Sequence, residues 1–136
     1  MKLLELKEFI EKQLPEWFVT IDEAEMMNVD IDSLCPKVGA IYIEEFVTGS
    51  ATVGMKIDTI TRYDVTFFVT SDIEPKANER QAVREERIDP CIHQLMKDLY
   101  NEYNVSRFTF DSFPRGFDVA GVSQTMTFEI LRSTAC

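Results

Sequence analysis

Histidine is almost missing from this chain: His93 is the only one in 136 residues. It lies two positions from Cys91, and on a helix that spacing puts the two side chains on different faces. Neither a Cys–His dyad nor a metal pair is expected from them. Cysteine is also scarce, with Cys35, Cys91 and Cys136 an odd and widely spaced set that makes no disulfide framework. Cys35 and Cys91 read as small buried apolar residues. Among the few glycines, Gly49 and Gly54 are not followed by the Gly-Lys-Ser/Thr of a phosphate loop, and no serine sits in a Gly-x-Ser-x-Gly elbow. No apolar run approaches the ~18 residues of a membrane-spanning helix. The first fourteen residues carry charge throughout and do not read as a signal peptide, so synthesis in a cytoplasm is expected. Basic residues are outnumbered 14 to 24, for a net charge of -10. That balance argues against gripping nucleic acid by its phosphates or docking on an anionic membrane. It does not bar DNA from passing close by without being held.

What the chain does have is alternation. In Asp58–Ser71, Tyr63, Val65, Phe67 and Val69 fall on one face of an extended strand, and Arg62, Asp64, Thr66 and Thr70 on the other. Val38–Val47 alternates Ala40, Tyr42 and Phe46 with Ile41, Ile43 and Glu45. Val122–Leu131 alternates Met126, Phe128 and Ile130 with Thr125, Thr127 and Glu129. Thr, Val, Tyr, Phe and Ile suit a pleated surface. Phe108–Asp111 is a shorter strand of the same kind, and Trp17–Ile21 an edge strand. Residues 2–14 place Leu3, Leu6, Phe9, Ile10 and Leu14 at helical spacing, with Glu8 and Lys12 as an i,i+4 pair, and Pro15 ends the helix. A second helix is expected near 78–101, capped by Asn78 with Gln81 three positions on, and either kinked or divided at Pro90. Its apolar set is Val83, Ile88, Ile92, Leu95, Met96 and Leu99.

One domain of 136 residues follows. Its expected class is α+β, a single antiparallel sheet packed on one face by the N-terminal helix and the kinked helix. The connections are read as loops. Asp22–Lys37 is acidic, but it lacks the Gly and terminal Glu of a calcium-binding EF-hand. Thr48–Lys56 is too long for a tight hairpin turn and reads as a projecting arm. Phe113–Asp118 is a turn, and Ser133–Cys136 a frayed tail. No two carboxylates stand out as an acid/base pair: Glu44 and Glu45 are adjacent on a strand and point apart. No catalytic residue, cofactor-binding residue or metal ligand is expected.

The order of elements resembles the tail-terminator proteins of long-tailed bacteriophages, the lambda-type minor tail protein family. Leu34-Cys35-Pro36-Lys37-Val38-Gly39-Ala40-Ile41-Tyr42-Ile43 is similar to that family's Phe-Pro-x-Val-x-Val-Tyr lead into the first long strand. Ile60–Asp72 followed by Arg87-Ile88-Asp89-Pro90-Cys91-Ile92 resembles its second long strand and its Arg-Ile-Tyr-Pro helix step. Phe108–Asp111 through Gly121–Ile130 resembles its closing strand pair with the charged, Gly-containing turn, partly matched by Arg115 and Asp118. The resemblance implies a structural protein, not an enzyme, that forms a hexameric ring on the head-proximal end of the tail tube. Its partners would be its own copies, the major tail tube protein and a head-completion or connector protein, with DNA passing through the lumen and no membrane involved. Subunit-contact residues are expected among Thr48, Gly49, Ser50, Gly54, Arg62, Asp64, Arg115 and Asp118. Two other readings stay open: another connector or tail-completion protein, and a small cytoplasmic α+β ligand-binding domain or enzyme with a pocket between sheet and helix.

Overall fold

In the computed structural model the described residues are 2–22, 37–52, 56–70, 76–103, 105, 107–111 and 121–135. The elements are α1 (Leu3–Gln13), β1 (Trp17–Thr20), β2 (Gly39–Thr52), β3 (Lys56–Thr70), α2 (Ala77–Val83), a π-helical turn (Arg84–Ile88), α3 (Asp89–Glu102), β4 (Arg107–Asp111) and β5 (Gly121–Ala135). The class is α+β. The five strands form one sheet in the order β1-β2-β3-β5-β4, so the strand with the strongest alternation is the central one.

The sheet is mixed, not wholly antiparallel. β1 runs parallel to β2, pairing Trp17 with Gly39 and Thr20 with Tyr42, while the other three pairings are antiparallel. The reason is the length of the intervening chain. A direct hairpin would reverse direction, whereas a crossover of a dozen or more residues can return the chain to the same end of the sheet, and residues 21–38 are long enough to do so.

One face of the sheet carries the core. Ile41 and Ile43 of β2, Tyr63, Val65, Phe67 and Val69 of β3, and Val122, Met126 and Phe128 of β5 are all buried there. The register places Ile41 beside Phe67 and Ile43 beside Val65, and on the other side Val65 beside Met126 and Tyr63 beside Phe128. The last pair stack, with centroids 5.1 Å apart at 26°. Trp17 meets Phe67 edge-on at 5.2 Å and 81°. Over this face lie Leu6 and Ile10 from α1, Leu14 just past its end, and Ile88, Ile92, Leu95 and Leu99 from the long helix, the 3–4 spacing read from the sequence.

Several boundaries differ from those expected. The surface ion pair of α1 is Lys7–Glu11 at 3.2 Å. The second helix begins after Lys76, not Asn78: the Lys76 amide donates to the Glu79 carboxylate at 3.3 Å, closing a cap two residues earlier than Asn78 and Gln81 would. At Pro90 the helix divides, one of the two outcomes expected there. The turn before it widens, so that the Asp89 amide donates to the Arg84 carbonyl, and Pro90 opens α3 as a first-turn residue whose missing N–H costs no ladder bond. The arm expected at Thr48–Lys56 is mostly strand. Pairing continues to Thr52 opposite Lys56 and leaves only residues 53–55 between the strands. The closing strand likewise extends to Ala135 opposite Lys56 instead of fraying at Ser133. Gly49 and Ser50, read as part of that arm, lie in the ladder opposite Thr59 and Asp58.

Candidate functional site

The two extensions together make a three-stranded ribbon, built from residues 46–52 of β2, 56–62 of β3 and 129–135 of β5. It reaches past the helices. The fully buried part of the cluster under α1 and α3 ends at Tyr63 and Phe128 in the central strands, with Ile130 partly buried against it, and beyond lie exposed apolar side chains: Phe46, Val47, Ile57, Ile60 and Leu131. By the period of two, Phe46, Ile60 and Leu131 share the face away from the helices, and Val47 and Ile57 the other. Neither face of the ribbon is therefore covered.

The expected contact residues divide into three groups. Thr48, Gly49 and Ser50 are exposed on β2 within this ribbon. Arg62 and Asp64 lie at its base on the open face. The Arg62 guanidinium meets the Asp64 carboxylate at 3.3 Å and sits over the Phe46 ring, 4.5 Å from its centroid. Asp64 also accepts from the Thr127 hydroxyl at 3.0 Å, and the next hydroxyl pair, Thr66 and Thr125, meet at 3.0 Å. The open face thus changes along its length from part-buried threonine hydroxyls, through one charge pair, to an exposed apolar strip. Gly54, Arg115 and Asp118 lie outside the described residues.

The apolar strip was missed from sequence. Phe46 was placed on the face of Ala40 and Tyr42, which is correct, but those two are buried and Phe46 is exposed. The signal was the absence of charge: Phe46–Thr52 holds no charged residue and no proline.

A second feature is a half-open cleft of about 630 Å³ at the other end of the sheet, walled by Trp17, Val38, Val69, Pro90 and Cys91 and rimmed by Glu16, Lys37, Glu86 and Arg87. Lys37 is not free to reach a ligand with its full donor set, because its ammonium already donates to the Pro15 carbonyl at 2.7 Å. Burial pushes the Cys91 thiol above the ordinary range, a hydrogen bond with Trp17 partly opposes this, and the Glu16 carboxylate adds to it. A thiol held protonated is a poor nucleophile. Among the described residues no group of three or more His, Cys, Asp or Glu is placed to hold a metal ion, and no helix is long and apolar enough to cross a membrane.

Compared with known proteins, the chain matches no family model, and no curated protein matches it in sequence.

Proposed function

We propose that this chain is a structural protein of a bacteriophage or prophage tail, which closes the head-proximal end of the tail tube as a hexameric ring, stops its polymerisation and presents a surface to the head-side connector. The reading is carried by the resemblance in order and length of elements across almost the whole chain. Two physical features support it. The ribbon exposes apolar side chains on both faces, as a surface awaiting a protein partner does. The net charge of -10 suits a ring through which DNA slides, since few cations are present to displace its counterions. The partners are the tail tube protein below and a head-completion protein above, and the working location is the virion tail.

The test is addition of purified protein to isolated tail tubes, followed by electron microscopy and sedimentation. A ring of density on one end of each tube, and tubes that no longer elongate, is the expected result. Protein that neither binds the tube ends nor self-associates at high concentration with added salt overturns the proposal.

One observation favours the ligand-binding or enzymatic alternative, the cleft beside Cys91. Against it stand the apolar inward positions and the protonated thiol. Screening against esters, phosphoesters and glycosides should return background rates, and a turnover abolished by substituting a single carboxylate would favour that alternative.

A further inference from the structure

The cleft of about 630 Å³ lies at the far end of the sheet from the ribbon, between the lead into β1 and β2 on one side and the helix junction at Pro90 on the other. Its size is that of ordinary ligand pockets, roughly 300–1,000 Å³. Apolar surface is left wet inside it. Val38 is 46% exposed, Pro90 is exposed and Cys91 half-buried, above a floor made by the nearly buried Trp17.

The charges around its mouth are balanced. The sheet side carries Glu16 and Lys37, the helix side Glu86 and Arg87, a net of zero in a chain of -10. No ion pair among the described residues joins the two sides. The Lys37 ammonium is spent on the Pro15 carbonyl, so the Glu16 carboxylate is the open charge of the sheet side. On the helix side Arg87 offers a guanidinium, whose planar fork suits a carboxylate. Glu86 and Arg87 both stand on the π-helical turn Arg84–Ile88. Such turns are rare and recur at functional sites.

We propose that this cleft binds a small zwitterion with an apolar body, of the class of short apolar peptides. The ligand's ammonium meets Glu16, its carboxylate meets Arg87, and its apolar body lies between Val38 and Pro90. A ligand of one net sign would meet a like charge on either side of the mouth, because each side carries both signs. A wholly apolar ligand would bury the rim charges without pairing them, which is unfavourable. The site binds without reacting, since the Cys91 thiol on its floor stays protonated and is a poor nucleophile. The inference goes beyond the ring reading and does not depend on it, because the exposed ribbon is at the opposite end of the sheet.

Trp17 is the only tryptophan and lines the cleft, so its fluorescence reports occupancy directly. Full-length protein is titrated with the dipeptide Leu-Phe, and with the same dipeptide N-acetylated, C-amidated or capped at both ends, read by Trp17 emission and by calorimetry. Saturable binding of the free dipeptide is expected, weakened about tenfold by either single cap, as loss of one charge-assisted contact should do. Arg87→Gln should weaken the free dipeptide by a similar factor and remove the effect of amidation while keeping that of acetylation. Glu16→Gln should do the reverse. Both side chains are exposed, so thermal melts of the two variants should match the parent. Arg87→Lys and Glu16→Asp, which keep the charge, should bind more tightly than the neutral variants. Neither emission change nor heat at millimolar dipeptide overturns the site. Binding that is indifferent to both caps, or tightened by either, overturns the zwitterion. Binding that responds to the caps equally in parent, Arg87→Gln and Glu16→Gln overturns the assignment to this cleft. Sedimentation of the same protein reports self-association separately, so the ring reading stands or falls by its own result.

Discussion

Phe67→Ala should cost this protein a large share of its stability. Phe67 is fully buried at the centre of the sheet, between Ile41 and Gln124, with the Trp17 ring edge-on to it at 5.2 Å. Burying a Phe side chain is worth about 1.5–3 kcal/mol by transfer alone, and the cavity left by truncation brings the usual total to about 3–5 kcal/mol. The lost ring–ring contact adds on the order of 1 kcal/mol or less. Domains are stable by roughly 5–15 kcal/mol in all, so the variant should unfold at markedly lower urea and melt roughly 10–20 °C lower. Trp17 is the only tryptophan, so its fluorescence reports both the transition and its own altered surroundings. Phe46→Ala is the internal control. That ring is 42% exposed, with the Arg62 guanidinium over it, so its loss should cost about 1 kcal/mol or less. A Phe67→Ala loss below 1 kcal/mol, or one no larger than that of Phe46→Ala, would refute the assignment of the buried face.

Other substitutions follow from local geometry. Gly39→Ala places a methyl 2.6 Å from the Phe68 carbonyl oxygen and from the Trp17 ring, and should destabilise by about 1–3 kcal/mol in a urea melt. Gly49→Ala meets only ordinary contacts, the nearest at 3.4 Å, and should leave the melt within about 0.5 kcal/mol. Because the Cys91 thiol is raised by burial, its alkylation followed by site-resolved mass spectrometry should stay slow through neutral pH and keep rising beyond the pH at which an exposed cysteine levels off. The same shift makes the protonated thiol's stabilisation complete below the unfolded pKa and lost as pH rises through the raised folded value. Self-association should increase with salt, since screening weakens the repulsion between subunits of charge -10; light scattering that falls with salt would contradict this. Deleting residues 49–54 should leave a folded monomer, because that segment lies beyond the buried cluster, and should weaken assembly.

The core was legible because its signal is local. Alternation in Tyr63–Val69 and Met126–Phe128, and 3–4 spacing in Ile88–Leu99, fixes which side chains turn inward without knowledge of the partners. What was not legible depends on pairing between distant segments. Gly49 and Ser50 look like part of a projecting arm until Asp58 and Thr59 lie beside them, and Ser133 looks frayed until Asp58 pairs with it. The direction of β1 depends on a crossover, which hydrophobic period cannot report. The candidate surface was half visible for the same reason: Thr48–Ser50 were picked out as part of an arm, whereas Ile60 and Leu131 look like core until the register puts them on the face away from the helices.

The pairing of β3 with β5 sets an order of events during synthesis. Each of the fifteen residues from Lys56 to Thr70 has a partner between Gly121 and Ala135. While the chain emerges from a ribosome, the hairpin of β2 and β3 can close at once, but its inner edge stays open until more than fifty further residues have been made. During that interval Phe67 and Val65 lack the neighbours that bury them, and an unpaired edge of this length invites mispairing between nascent chains. Pauses in translation between Thr70 and Gly121 should therefore lower the yield of soluble protein more than pauses before Lys56.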